Sequence, residues 1–105
     1  MLGDCYYQSY KYQEANPKVT LVHGLVKGQG KLEGIIFNHS WCEDGDTIID
    51  MTLKPNIQKT LNKNLYYLLG DIKITFKYSY QDRIEKSLEI GTYGPWESKL
   101  LKDYS

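Results

Sequence analysis

The sequence has no excess of charge of either sign, very little cysteine and no long apolar run. Thirteen Lys and Arg residues balance thirteen Asp and Glu residues. That balance leaves no basic field to attract nucleic acid or an anionic membrane. No apolar stretch approaches the roughly 18 residues that cross a bilayer. The stretch from Met1 to Cys5 has neither the basic start nor the apolar centre of a secretory signal, so a cytoplasmic protein is expected. Two cysteines, Cys5 and Cys42, are too few for a disulfide scaffold and lack the close pairing of a structural zinc site. Both are expected to be free thiols. Gly28 and Gly30 complete no phosphate-binding motif and read as turn glycines. With no internal repeat, linker or low-complexity segment, the 105 residues are expected to form a single domain, 1–105.

What is present is ordinary in bulk and unusual in detail. Hydrophobic residues make up 41% and charged residues 25%, the composition of a globular domain. Ten tyrosines are expected mainly to bury their rings and keep their hydroxyls wet. The most informative stretch runs from Gly34 to Leu53. Ile35, Phe37, His39 and Trp41 alternate with Ile36, Asn38, Ser40 and Cys42, the period of a strand. Thr47 to Leu53 is a second run rich in β-branched residues. Asp44-Gly45 between them suits a type I′ turn. With those two residues as the loop, Cys42 faces Thr47, Trp41 faces Ile48 and His39 faces Asp50. Opposed residues share a face, so the hairpin sets an imidazole beside a carboxylate.

Upstream, residues 5–15 read as a helix with Asp4 as its N-cap, ended by Asn16-Pro17. Tyr6, Tyr10 and Gln13 share a face, with Tyr7 and Ser9 elsewhere. Cys5 then opens a helix, where the macrodipole and unpaired N–H groups favour a thiolate and can hold an oxyanion. Residues 19–26 read as a strand, and 27–31 as a turn. His23, in that strand, is a candidate second catalytic or metal-binding imidazole, or else a partly buried, hydrogen-bonded strand residue, the commoner case. Downstream, a short helix at 63–69 begins at Thr60 or Asn62 and ends at Gly70. Residues 71–79 read as a strand with Ile72, Ile74, Phe76 and Tyr78 on one face. A helix follows from Ser79 or Gln81 through Ile90, packed through Ile84 and Leu88. Trp96 pins the tail, and residues 97–105 look frayed.

Together Cys5, His39 and Asp50 supply a thiol to attack a carbonyl, an imidazole to move the proton and a carboxylate to orient the imidazole. Gly3-Asp4-Cys5 at a helix start, the run Asn38 to Glu43 containing His39 and Trp41, and the run Ile48 to Thr52 containing Asp50 resemble the transglutaminase-like branch of the papain-like cysteine enzymes. They also resemble small phage and bacterial proteins with the same Cys and His-x-Trp pattern. The resemblance covers mainly residues 3 to 53, with Ser40 in place of the usual alanine. It implies an α+β fold with a papain-like core, a nucleophile helix packed on a small antiparallel sheet. It further implies a catalytic triad of Cys5, His39 and Asp50 acting on a protein or peptide substrate through a thioester, without cofactor or metal. Trp41 is a candidate for lining the acyl site, or else a core residue under the sheet.

Two other functions are compatible with the sequence. One is a catalytically inactive phage or bacterial protein-binding or inhibitor module, for which tyrosine-rich surfaces are well suited. The other is a metal site drawn from Cys5, His23, His39, Cys42 and Asp50. Strand alternation opposes the latter, since His39 and Cys42 should point to opposite faces.

Overall fold

The computed structural model describes residues 4–28 and 33–100. Most of the expected turn at 27–31 and the last five residues of the expected frayed tail lie outside the described residues. Helix α1 (Asp4–Ala15) leads to β1 (Thr20–Lys27), β2 (Ile36–Asp44), β3 (Thr47–Ile49) and β4 (Leu61–Asn62). Then come α2 (Lys63–Leu69), β5 (Thr75–Tyr78) and α3 (Tyr80–Ile90). The strands form one antiparallel sheet in the order β4-β3-β2-β1-β5. The fold is α+β, and among the described residues no helix is long and apolar enough to cross a membrane.

Local chemistry explains the helix ends. Ser79 accepts a hydrogen bond from Asp82 N–H while the Asp82 carboxylate accepts one from Ser79 N–H, the reciprocal capping box that starts α3. Gly91, at φ 83°, ends it in the left-handed conformation that costs glycine little. Asn62 rather than Thr60 caps α2, accepting from Leu65 N–H. Asp4 falls inside the first turn of α1, one residue later than its expected cap position, and Cys5 follows it.

The two faces of the sheet are covered differently. On one, Leu21, Cys42, Ile49 and Tyr78 pack with Val19 and Trp96, beneath α1. On the other, Val22, Val26, Trp41, Ile48 and Ile72 pack with Tyr66 and Tyr67 of α2. Gly24 makes that second face possible: a Cβ there would lie 2.9 Å from Trp41 Cη2 and 2.9 Å from the Ile74 carbonyl. Helix α1 is tied to the sheet by polar contacts as well. Gln13 Nε2 donates to the Val19 and Tyr78 carbonyls, each at 3.0 Å. Ser9, expected to face elsewhere, is buried against Ser40, their hydroxyls sharing a hydrogen bond. Ser9 Oγ also donates to the Cys5 carbonyl at 2.6 Å.

The hairpin register departs from expectation. Asp44 pairs with Thr47, Glu43 with Ile48 and Cys42 with Ile49. The loop is therefore Gly45-Asp46, not Asp44-Gly45. Positive φ falls on Gly45 (58°) and not on Asp46, the pattern of a type II′ turn rather than type I′. The slip is two residues, so every side chain keeps its face. His39 and Asp50 become diagonal neighbours instead of opposed ones. Strand β3 is also shorter than the expected run to Leu53, because Asp50 leaves the ladder. Its N–H donates to Gln58 O, and its carboxylate turns back to Thr52, an Asx turn.

Three further expectations are corrected. Strand β5 begins only at Thr75, and Ile72 packs in the Trp41 cluster while Phe76 and Tyr78 pack on the opposite face. The reason is a left-handed Asp71 (φ 47°) and a bond from Ile72 N–H to Tyr67 O, which hold that segment against α2. In α3, Leu88 is 80% exposed, whereas Arg83 is buried. Its guanidinium lies 4.4 Å from the Tyr10 ring centroid and 4.8 Å from that of Tyr80, a cation–π sandwich that sets which side of the helix faces inward. The tail is not frayed through residue 100. Trp96 is buried as expected, Glu97 accepts from Tyr78 O–H at 2.7 Å, and Leu100 is fully buried.

Candidate active site

Each member of the expected triad comes from a different element. Cys5 lies in the first turn of α1, whose first N–H groups have no partner within the helix. His39 is on β2, and Asp50 follows β3 directly. His39 Nε2 and Asp50 Oδ2 are 2.9 Å apart, both side chains nearly inaccessible. The pair named from the hairpin pattern therefore forms, by a diagonal reach. Beyond Cys42 no described strand pairs with β2 on its β3 side, so the two sheet faces meet along that open edge.

The electrostatics link all three. Burial pushes the His39 imidazole down, but the hydrogen bond to Asp50 and the neighbouring Cys5 outweigh it and push it up to about 9. Burial pushes the Asp50 carboxyl up, but hydrogen bonds from His39, Thr52 and Tyr66 outweigh it and hold it down at about 2. The pair is thus an imidazolium facing a carboxylate at neutral pH. His39 Nδ1 is buried and makes no hydrogen bond, although Cys5 is near enough to act on the ring.

Asp50 is held more firmly than the sequence suggests. Its Oδ1 accepts from Thr52 N–H at 3.0 Å and Thr52 Oγ1–H at 2.6 Å. Its Oδ2 accepts from Tyr66 O–H at 2.6 Å as well as from His39. Tyr66 was invisible to the sequence because it lies sixteen residues away on α2; the Asp-x-Thr spacing was the only local signal. Trp41 is fully buried. Its ring stacks on His39 at 5.9 Å and 30°, and its Nε1–H donates to Glu43 Oε2 at 3.0 Å. It forms the wall behind the imidazole and presents no surface to a substrate.

The remaining candidates lie elsewhere. Cys42 is on the α1 side of the sheet, opposite His39, and donates its thiol hydrogen to Ser9 O at 3.4 Å. Burial, with Asp50 and Glu43 nearby, pushes that thiol up to about 12, so it stays protonated. His23 is fully buried, but neither ring nitrogen has a hydrogen-bond partner, which corrects its expected hydrogen-bonded state. The rings of Tyr6, Tyr78 and Trp96 enclose it at 4.8–4.9 Å. Among the described residues no group of three or more His, Cys, Asp or Glu side chains is placed to hold a metal ion. The tyrosine hydroxyls are less wet than expected. Those of Tyr6, Tyr66, Tyr67 and Tyr78 donate to Asn38, Asp50, Glu43 and Glu97.

No family model, no curated protein and no solved structure matches the chain.

Proposed function

We propose that this chain is a cysteine-dependent acyl-transfer enzyme with a papain-like, transglutaminase-like core, acting on a protein or peptide amide. The supporting observation is the His39–Asp50 pair at 2.9 Å with the free Nδ1 of the same ring on a residue that senses Cys5. In this reading the proton of the Cys5 thiol already rests on His39 Nδ1 before substrate binds, and the sulfur attacks the carbonyl carbon. The oxygen of the tetrahedral intermediate is held by backbone N–H groups of the first turn of α1. Collapse breaks the C–N bond, and His39 returns the proton to the leaving amine. Water, deprotonated by His39, then resolves the thioester and frees the acid. Two free thiols fit a reducing compartment such as the cytoplasm.

The test is acylation by a small activated ester followed by mass spectrometry. A single acyl group on Cys5, absent from Cys5→Ser and reduced at least about 100-fold in rate in His39→Ala, is the expected result. Equal acylation of the wild type and His39→Ala would contradict it.

One observation favours a second reading, an inactive binding module. Cys5 is 1% and His39 5% exposed, so a substrate reaches them only after the surrounding chain moves. Meanwhile a cleft of about 610 Å³ lies open between α1 and α3, lined by Tyr7, Tyr10, Leu88 and Tyr93 among others. Absence of any acyl adduct on Cys5 would favour this reading.

A further inference from the structure

Asp50 uses both oxygens, and the oxygen that holds His39 is shared. Tyr66 O–H donates to Oδ2 at 2.6 Å, and His39 Nε2 lies 2.9 Å from the same atom. Thr52 occupies Oδ1 through its N–H and its hydroxyl. The carboxylate therefore cannot rotate without breaking several bonds, and its charge on Oδ2 is divided between two donors. Tyr66 itself is fixed by α2 and by its ring against Trp41 at 5.4 Å. Burial, and then Asp50 and Cys5 nearby, push its phenol far above the usual range, so it remains a donor throughout the working pH range.

We infer that Tyr66 is a positioning residue of this site: by sharing the Asp50 oxygen that holds the imidazole, it sets the orientation and proton affinity of His39. The inference rests on the acyl-transfer reading for its functional meaning, but not for its test. The charged or titratable groups facing the pair are Cys5 from α1, Asp50 after β3, and Tyr66, with Tyr67 beside it, from α2. Removing the Tyr66 hydroxyl leaves Oδ2 to His39 alone. The carboxylate becomes a stronger acceptor, and the imidazole keeps its proton to higher pH.

The experiment is an NMR titration of the His39 ring in wild type, Tyr66→Phe and Tyr67→Phe. Tyr67 is the control because its hydroxyl donates to Glu43 instead. Tyr66→Phe is expected to raise the His39 midpoint by about half a unit or more, while Tyr67→Phe leaves it unchanged. If Tyr66→Phe does not fold, fluorotyrosine at position 66 takes its place; a stronger donor there is expected to lower the midpoint. A His39 midpoint unmoved by the folded Tyr66 variant would overturn the inference, as would an equal shift in both variants. The pH profile of Cys5 acylation separates the two proposals. Loss of Cys5 acylation in the wild type refutes the enzyme and leaves the His39 titration to decide the role of Tyr66. An acylation profile whose high-pH limb moves upward in Tyr66→Phe supports both.

Discussion

Asp50→Ala is expected to destabilise the fold by about 3–5 kcal/mol, the usual consequence of removing one partner of a buried ion pair. For a domain of this size that corresponds to a fall in Tm of roughly 15–30 °C. The carboxylate accepts hydrogen bonds from His39, Tyr66 and both donors of Thr52. Truncation leaves those donors without an acceptor, and buried unsatisfied donors cost free energy of their own. The imidazole, nearly inaccessible, then keeps its proton only at the expense of an unpaired buried charge. Its midpoint is expected to fall from about 9 to below the ordinary value near 6.5. Denaturant unfolding and a His39 titration check both parts. A loss of less than about 1 kcal/mol would mean that the pair behaves like an exposed surface contact.

The second large effect concerns pH and depends on the two histidines acting in opposite directions. Burial pushes His23 down to about 3. Its unfolded value is about 6.5, so below that pH the unfolded chain takes a proton the folded chain refuses. Stability is then lost progressively, reaching roughly 4–5 kcal/mol near pH 3. That loss is comparable with the whole stability of many small domains. His39 has the opposite sign. Its raised folded value means that its contribution is fully present below about 6.5 and is lost as pH rises through about 9, roughly 3 kcal/mol in all. Asp50, held at about 2, contributes above about 3.8 and loses that contribution only as pH falls toward 2. Stability is therefore expected to peak near neutrality and decline on both sides. His23→Phe, which keeps an aromatic body within the cage of Tyr6, Tyr78 and Trp96, is expected to flatten the decline between pH about 6 and 4 and leave the alkaline side unchanged. Urea midpoints across pH measure this, and an acid decline identical in the two chains would exclude His23 as its source.

Local signals carried much of the fold. Ser79 as one of two candidate starts of α3, Asn62 as one of two candidate caps of α2, and the alternation from Ile36 to Cys42 each rest on a few adjacent residues, and each corresponds to an observed element. The pairing of His39 with Asp50 was legible for the same reason, because a hairpin converts sequence distance into contact. The register was not, since either Asp44-Gly45 or Gly45-Asp46 can form a two-residue loop. Glycine at the first position selects the second. That the site pair survives reflects the parity of a two-residue slip, which leaves faces intact. The exposure of Leu88 and the burial of Arg83 depend on Tyr10 and Tyr80 meeting the guanidinium, a tertiary choice no helical period contains. The cage around His23 and the Tyr66 hydroxyl on Asp50 are likewise products of chain return, and only the folded molecule brings them together.

Whether Cys5 and His39 act as a unit is tested most directly by alkylation of Cys5 with a small thiol reagent. The rate is followed against pH in the wild type, His39→Ala and Cys42→Ser, with the modified residue identified by mass spectrometry. Cys5 is expected to react well below the pH at which a free thiol does in the wild type and Cys42→Ser, and to lose that early reactivity in His39→Ala. A rate that climbs only as for an isolated thiol near 8.5, and climbs equally with and without the His39 ring, would show that they do not.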